Sequence, residues 1–235
     1  MKSILTILSL VLVFAMAVSC ALGVKGKGEV ERVDIETEPF TAIDVSGFFN
    51  VHYRQGPKHE VTLVTHSNIA ENVTIDIESG TLSAEISDDV SDVDKLDLFI
   101  TSPSIESVRL SGACDFEASN ILAGEELFLR GSGAAEFTAE VMVNKLEIKG
   151  SGATEYELSG GAQLVKIDIS GATEINAYDL ETDRCKINTS GASTINITAT
   201  QELIVKSSGA SSINYKGNPS ITEEISGAAS VNPIR

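Results

Sequence analysis

Ser170-Gly171-Ala172-Thr173-Glu174-Ile175-Asn176-Ala177 is the stretch on which the fold turns, because the chain repeats it. Ser-Gly-Ala triplets open at Ser111, Ser132, Ser151, Ser170, Ser190, Ser208 and Ser226, and their glycines are spaced by 21, 19, 19, 20, 18 and 18 residues. Four residues after each glycine stands an apolar side chain: Phe116, Phe137, Tyr156, Ile175, Ile195, Ile213 and Val231. A short and nearly constant period marks a repeat architecture, in which each unit buries its apolar side only against its neighbours.

Alternation surrounds each glycine. Leu146 and Ile148, or Val165 and Ile167, lie six and four residues before it; Phe137 and Ala139, or Tyr156 and Leu158, lie four and six after. Period-two alternation marks half-buried strands. Two strands are therefore expected to meet at a Ser-Gly corner, with a third, less regular side closing each unit. Glycine is expected to supply the backbone angles of the corner, and the following alanine to fit where stacked backbones crowd. The L-x-x-L-x-L-x-x-N pattern of leucine-rich repeats is missing, and propeller blades need about twice this period. The expected fold is all-β: a single-stranded, right-handed parallel β-helix, regular over residues 105–235 with about seven coils.

The remainder of the chain is read outward from this array. Ile43-Asp44-Val45-Ser46-Gly47-Phe48-Phe49-Asn50-Val51 repeats the unit once more, displaced toward the N-terminus. Residues 31–104 are otherwise expected to form strands and hairpins that cap the helix. Val51–Arg54 and Val61–Thr65 flank the turn Gln55-Gly56-Pro57-Lys58, and Val73–Ile77 and Leu82–Ile86 flank Glu78-Ser79-Gly80-Thr81, both hairpin signals. Ser87–Asp94 contains four aspartates and reads as a solvated loop.

Residues 1–19 read as a secretory signal. Lys2 precedes an apolar run, Ile4 to Val18, broken only by Thr6 and Ser9, and the run is short for a spanning helix. Ala17-Val18-Ser19-Cys20 resembles the lipobox of bacterial lipoproteins, which implies cleavage before Cys20 and its lipidation; the alternative is an ordinary signal peptide with an unmodified cysteine. Residues 20–30 are then the lipidated cysteine and a glycine-rich, flexible tether. Cys114 and Cys185 remain. Three or four stacked layers separate them by roughly 14–19 Å, too far for a disulfide, so Cys185 is read as a core residue and Cys114 as a free thiol.

The repeated Ser-Gly-Ala corners, the Ile43–Val51 copy and the ending Ile213-Asn214-Tyr215-Lys216-Gly217-Asn218-Pro219 resemble the bacterial family of putative autotransporter adhesins with a head GIN domain, over roughly residues 31–235. The resemblance implies a β-helical, exported protein of a kind frequent in Bacteroidetes, often lipoproteins. Many members carry Gly-Ser-Gly-Asp where this chain has Ser-Gly-Ala-x-Glu or Ser-Gly-Ala-x-Ser.

Candidate chemistry is sparse. Asp115, Glu136, Glu155 and Glu174 fall three residues after successive glycines and would stack about 4.8 Å apart, a candidate Ca²⁺ ladder. The competing reading pairs them with Arg109, Arg130 and Lys149, three residues before the glycines, as surface ion pairs. Asn176, Asn196, Asn214 and Asn232 form an amide ladder. His52, His59 and His66 crowd one stretch, but zinc needs converging ligands and the hairpin geometry does not bring these together. No G-x-S-x-G, H-E-x-x-H or P-loop is present. A net charge of −17 and no tryptophan disfavour nucleic acid and offer no broad stacking surface for sugars. The expected function is a non-enzymatic cell-envelope lipoprotein, anchored to the outer membrane through Cys20 and presenting a surface to an extracellular glycan or protein. The alternative is a polysaccharide-acting enzyme using carboxylates on one face.

Overall fold

The computed structural model describes residues 23–87 and 89–234. Cys20 and the signal segment lie outside them. The N-terminal elements are β1 (Val24–Lys25), β2 (Val30–Ile35), β3 (Ala42–Gly47), β4 (Asn50–Gln55), β5 (Glu60–His66), the four-residue helix α1 (Ser67–Ala70), β6 (Val73–Glu78), β7 (Thr81–Ile86), β8 (Val90–Asp92) and β9 (Leu96–Ser102). The array follows as β10 (Ser107–Gly112), β11 (Asp115–Ala118), β12 (Leu122–Gly133), β13 (Glu136–Gly152), β14 (Glu155–Gly171), β15 (Glu174–Thr189), β16 (Thr194–Ser207), β17 (Ser212–Lys216), β18 (Ser220–Ile225) and β19 (Ser230–Pro233).

From β10 onward every pairing is parallel and links one coil to the next, so the chain is a β-solenoid. Strands such as β13, 17 residues long, run through the other bends of the coil without a break and stop at the Ser-Gly corner. Three faces result. The pre-corner face ends at each Ser-Gly, the post-corner face begins after it, and the closing face is made by stretches such as Leu122–Gly124 on Val141–Val143. The displaced N-terminal copy joins the stack in register, with Gly47 opposite Gly112 and Val51 opposite Phe116.

Stacking fixes the corner. Each alanine after a corner glycine donates its N–H to the glycine carbonyl of the preceding coil, at 2.7–3.0 Å from Ala113 to Ala228. A Cβ on Gly112, Gly133, Gly152, Gly171, Gly191, Gly209 or Gly227 would come no more than 2.6 Å from that preceding carbonyl oxygen. The crowding therefore falls on the glycine, whereas the alanines are exposed, contrary to the expectation above. The inward corner residue is the next one: Cys114, Ala135, Thr154, Thr173, Ser193 and Ser211 are all buried. Unequal repeat lengths are absorbed away from the corner, by register shifts at Glu157/Ser159 and Ala177/Glu181.

The core column four residues after each glycine is buried from Val51 to Ile213 and half-buried at Val231 in the last coil. Its rings lie in successive layers: Phe116 and Phe137 are tilted by 44° at 6.1 Å, and Phe137 and Tyr156 stack at 4.8 Å and 3°. Gly131 makes room for them, and Gly150 for Thr154, Ile169 and Thr173. A Cβ on Gly131 would meet Phe137 Cε2 at 3.1 Å and the Tyr156 hydroxyl at 3.0 Å. In the next coils the inward site two before the corner refills with Ile169 and Thr189, opposite the smaller Ile175 and Ile195. Cys114 and Cys185 are buried free thiols, which burial pushes up to about 11 and about 12.

The N-terminal cap departs from the expected hairpins in one place. β6 and β7 pair antiparallel across Ser79-Gly80. β4 and β5 do not pair. β9 lies between them, parallel to β4 and antiparallel to β5, because one edge of β4 is taken by β11 and the other by β9. β5 then pairs with β2, and the antiparallel strands β6 and β2 end the pre-corner and post-corner faces.

Two segments expected to be loose are held on this cap. Ser87–Asp94 contains β8, with Val90 buried, and β8 pairs with β1. Residues 23–29, expected as tether, dock through Val24 N–H to Asp89 O (2.7 Å), Gly26 N–H to Asp92 O (2.9 Å) and Lys27 N–H to Asn68 Oδ1 (2.8 Å). Their partners lie some 40 to 65 residues further along, which composition alone does not reveal.

Candidate functional site

Outward side chains beside the corner follow from alternation. On the pre-corner face these are the residues one, three and five before the glycine; on the post-corner face, those three and five after. The in-register column three before runs Arg109, Arg130, Lys149, Asp168, Asn188, Lys206, Glu224. The column three after runs Asp115, Glu136, Glu155, Glu174, Thr194, Ser212, Ser230. The corner turns these two columns onto different faces. The expected ion pairs between them are accordingly not formed: Lys149 pairs instead with Glu147 of its own face (3.1 Å), Lys145 with Glu126 (2.7 Å) and Lys206 with Glu224 (2.8 Å).

The acid ladder is thus a single file of like charges. Burial, and then the neighbouring Glu136, Glu174 and Glu157, raise the Glu155 carboxyl above its ordinary range; burial raises Asp115. No three His, Cys, Asp or Glu side chains come together as a metal cluster among the described residues. Ca²⁺ takes six to eight oxygens around one point, and a one-dimensional file does not wrap a point. The histidines diverge: His52 stacks on Phe99 at 4.7 Å, His59 meets Phe40 at 4.9 Å, and His66 bonds Asp94 at 2.6 Å. The amide ladder is formed, Asn196 donating to Asn176 (2.8 Å), Asn214 to Asn196 (2.9 Å) and Asn232 to Asn214 (3.2 Å).

The concave feature is elsewhere. A groove of ≈ 930 Å³ runs along the corner end of the pre-corner face, from Arg130 in one coil to Glu224 and Ser226 five coils on. Five steps at sheet spacing make it about 24 Å long. Side chains three before the glycine line it together with the serines of the corner, Ser151, Ser170, Ser190, Ser208 and Ser226, and backbone lies between the two columns. Asp168 accepts from Asn188 (2.8 Å). A smaller groove of ≈ 570 Å³ adjoins it around Phe128, Arg109 and Lys145; Arg109 and Lys149 lie over the Phe128 ring at 5.7 and 5.5 Å. Neither groove takes in the acid ladder. The serines read as corner geometry in the sequence, yet their recurrence once per coil, two residues after an outward polar or charged side chain, was the available signal.

Stacked parallel coils with a polar groove along one corner define a β-solenoid whose long surface is built by repetition. The chain belongs to the family described as putative auto-transporter adhesin, head GIN domain, whose model matches residues 39–219. Solved structures share the fold. A putative adhesin from Bacteroides fragilis NCTC 9343 is 23% identical with a TM-score of 0.86, covering 90% of this chain and 100% of its own. A putative lipid binding protein from Parabacteroides distasonis ATCC 8503 is 19% identical with a TM-score of 0.74, covering 90% and 99%. A putative adhesin from Parabacteroides merdae ATCC 43184 is 22% identical with a TM-score of 0.67, covering 92% and 100%. No curated protein matches the chain. No helix among the described residues is long and apolar enough to cross a membrane.

Proposed function

We propose that the chain is an exported, non-enzymatic, adhesin-like protein of the cell envelope, anchored to the outer membrane by a lipid on Cys20, whose solenoid presents the corner groove to an extended ligand. The groove itself carries the reading: it crosses six coils, and ordinary repeat side chains line it. The adhesin descriptions of the family and of two structural neighbours point the same way.

The geometry speaks against the polysaccharide-cleaving alternative. The groove carboxylates Asp168 and Glu224 stand three coils apart, about 14 Å along the backbone, whereas paired glycosidase carboxylates stand roughly 5–10 Å apart. Each is already engaged, by Asn188 and by Lys206. The more closely spaced acids of the ladder lie outside the grooves.

Three measurements test the reading. Cys20→Ala should move the protein from the membrane fraction to the soluble one, and unchanged retention would refute the anchor. Binding to an immobilised glycan panel should disappear in Ser170→Trp, which fills the groove while leaving the circular dichroism spectrum unchanged. Reducing-sugar release from any glycan of the panel would overturn the non-enzymatic assignment.

A further inference from the structure

The pre-corner face carries an outward cation in each of six consecutive coils: Arg109, Arg130, Lys149 and Lys206 three residues before the glycine, Lys166 and Lys186 five before it. Arg130, Lys149 and Lys206 line the groove itself, together with the carboxylates Asp168 and Glu224. This concentration stands out in a chain whose net charge is −17. Lys149 and Lys206 are shared with Glu147 and Glu224. Arg109, Arg130, Lys166 and Lys186 make no ion pair among the described residues. Arg109, Arg130 and Lys149 also stand directly above one another, and like charges in register on neighbouring strands repel. Nothing in the fold requires such a file. An anionic ligand laid along it would relieve the repulsion, and an Arg guanidinium matches a carboxylate with two parallel hydrogen bonds.

Spacing selects the kind of ligand. The cations and the corner serines both recur once per coil, about every 4.8 Å. An extended peptide advances about 3.3 Å per residue, so its acidic side chains drift out of step with the file within a few residues. A 1,4-linked pyranoside chain advances by close to one coil per sugar. If each sugar carries one carboxylate, its anions fall one per coil while its hydroxyls face Ser151, Ser170, Ser190 and Ser208.

We propose that the groove and its cation file bind an acidic polysaccharide of the polyuronate type, lying parallel to the solenoid axis in a register of one sugar per coil. This rests on the reading of the groove as the binding surface. The long-range repulsion from the acidic remainder of the chain is screened beyond about 8 Å at physiological salt, so the local file decides.

Calorimetry on the full chain in detergent tests it, with three probes: a hexa-uronate, its fully methyl-esterified form and a hexaglutamate peptide. The hexa-uronate should bind. Its affinity should fall at least tenfold on esterification and in Arg130→Gln/Lys149→Gln, should vanish in Ser170→Trp, and should be unchanged in Glu155→Gln on the opposite side of the corner. Equal binding of the ester, lost in Ser170→Trp, would overturn the anionic assignment while the groove stands as the site. Preference for hexaglutamate would overturn the sugar register in favour of a peptide. Binding unaffected by Ser170→Trp would remove the groove itself, and with it the reading on which this inference rests. Absence of binding by the hexa-uronate would overturn the inference.

Discussion

Phe137→Ala is the perturbation that most directly probes the layered core. Phe137 is 0% exposed and lies between Phe116 and Tyr156, its ring parallel to the tyrosine at 4.8 Å. Truncation removes a whole ring from a site whose neighbours belong to separate coils held by continuous backbone ladders, so the walls cannot collapse inward. Phe→Ala changes in such cores cost about 3–5 kcal/mol. At a urea slope of about 3 kcal/mol per molar, the unfolding midpoint should fall by about 1–1.7 M. The control is its chain neighbour Glu136→Ala, exposed and in register with Asp115 and Glu155. Removing one charge from a repelling file should leave the midpoint unchanged or slightly raised, within about 0.5 kcal/mol. Millimolar Ca²⁺ should move neither value. Equal midpoint shifts for the two variants would refute the inward register of the column. A Ca²⁺-dependent loss at Glu136→Ala would make the ladder a cation site after all.

Other perturbations separate the remaining claims. Gly171→Ala, with φ +134° and a Cβ against the Gly152 carbonyl, should cost at least about 1–3 kcal/mol. Gly124→Ala, with open space around it, should be neutral or stabilising by up to about 1 kcal/mol; similar thermal shifts for both would refute the corner argument. Because the Glu155 carboxyl is raised in the fold by burial and by Glu136, Glu174 and Glu157, folding takes up protons between the ordinary glutamate value and the raised one. The melting temperature should therefore drop as pH climbs through that window, and Glu155→Gln should flatten this part of the profile; an unflattened profile would assign it elsewhere. The hydrogen bond to Asp94, then the one to Gly28 O, raise the His66 imidazole. Its contribution is fully present below about pH 6.5 and lost as pH rises through the raised value, so the amide protection factors of residues 23–29, corrected for base-catalysed intrinsic exchange, should fall toward pH 8 and lose that pH dependence in His66→Phe. Thiol reagent at pH 8 should leave Cys114 and Cys185 unmodified until denaturant is added, since burial holds them at about 11 and about 12; rapid native labelling would contradict their burial.

What the sequence disclosed and what it withheld divide along a physical line. The coil period, the inward column and even the displaced copy at Gly47 are properties of a repeat in register with itself, so spacing alone reveals them. The sidedness of the charge ladders was not visible. Arg130 and Glu136 are symmetric about Gly133 in sequence, but the corner between them rotates one onto a different face from the other. The insertion of β9 between β4 and β5 depends on which edge of β4 the array has already occupied, a contact set by residues over 40 positions away. Docking of residues 23–29 onto His66 and Asn68 is long-range in the same sense. The groove was partly legible. The cations of the pre-corner face recur once per coil in the sequence, yet the surplus of acid across the whole chain masks them in any overall composition.

Since register shifts away from the Ser-Gly corner take up differences in repeat length while the corner stays in step, a whole coil can be removed or duplicated with the columns beside it kept in register. Taking out residues 153–171, one corner alanine through the next corner glycine, leaves Ala172 to follow Gly152 as it now follows Gly171. The rod is in this sense a ruler graduated in single coils. Each graduation removed shortens the groove by one step and, in this case, deletes Lys166 from the cation file, so reach and charge change together. Selection for longer or shorter partners can act on the number of graduations alone.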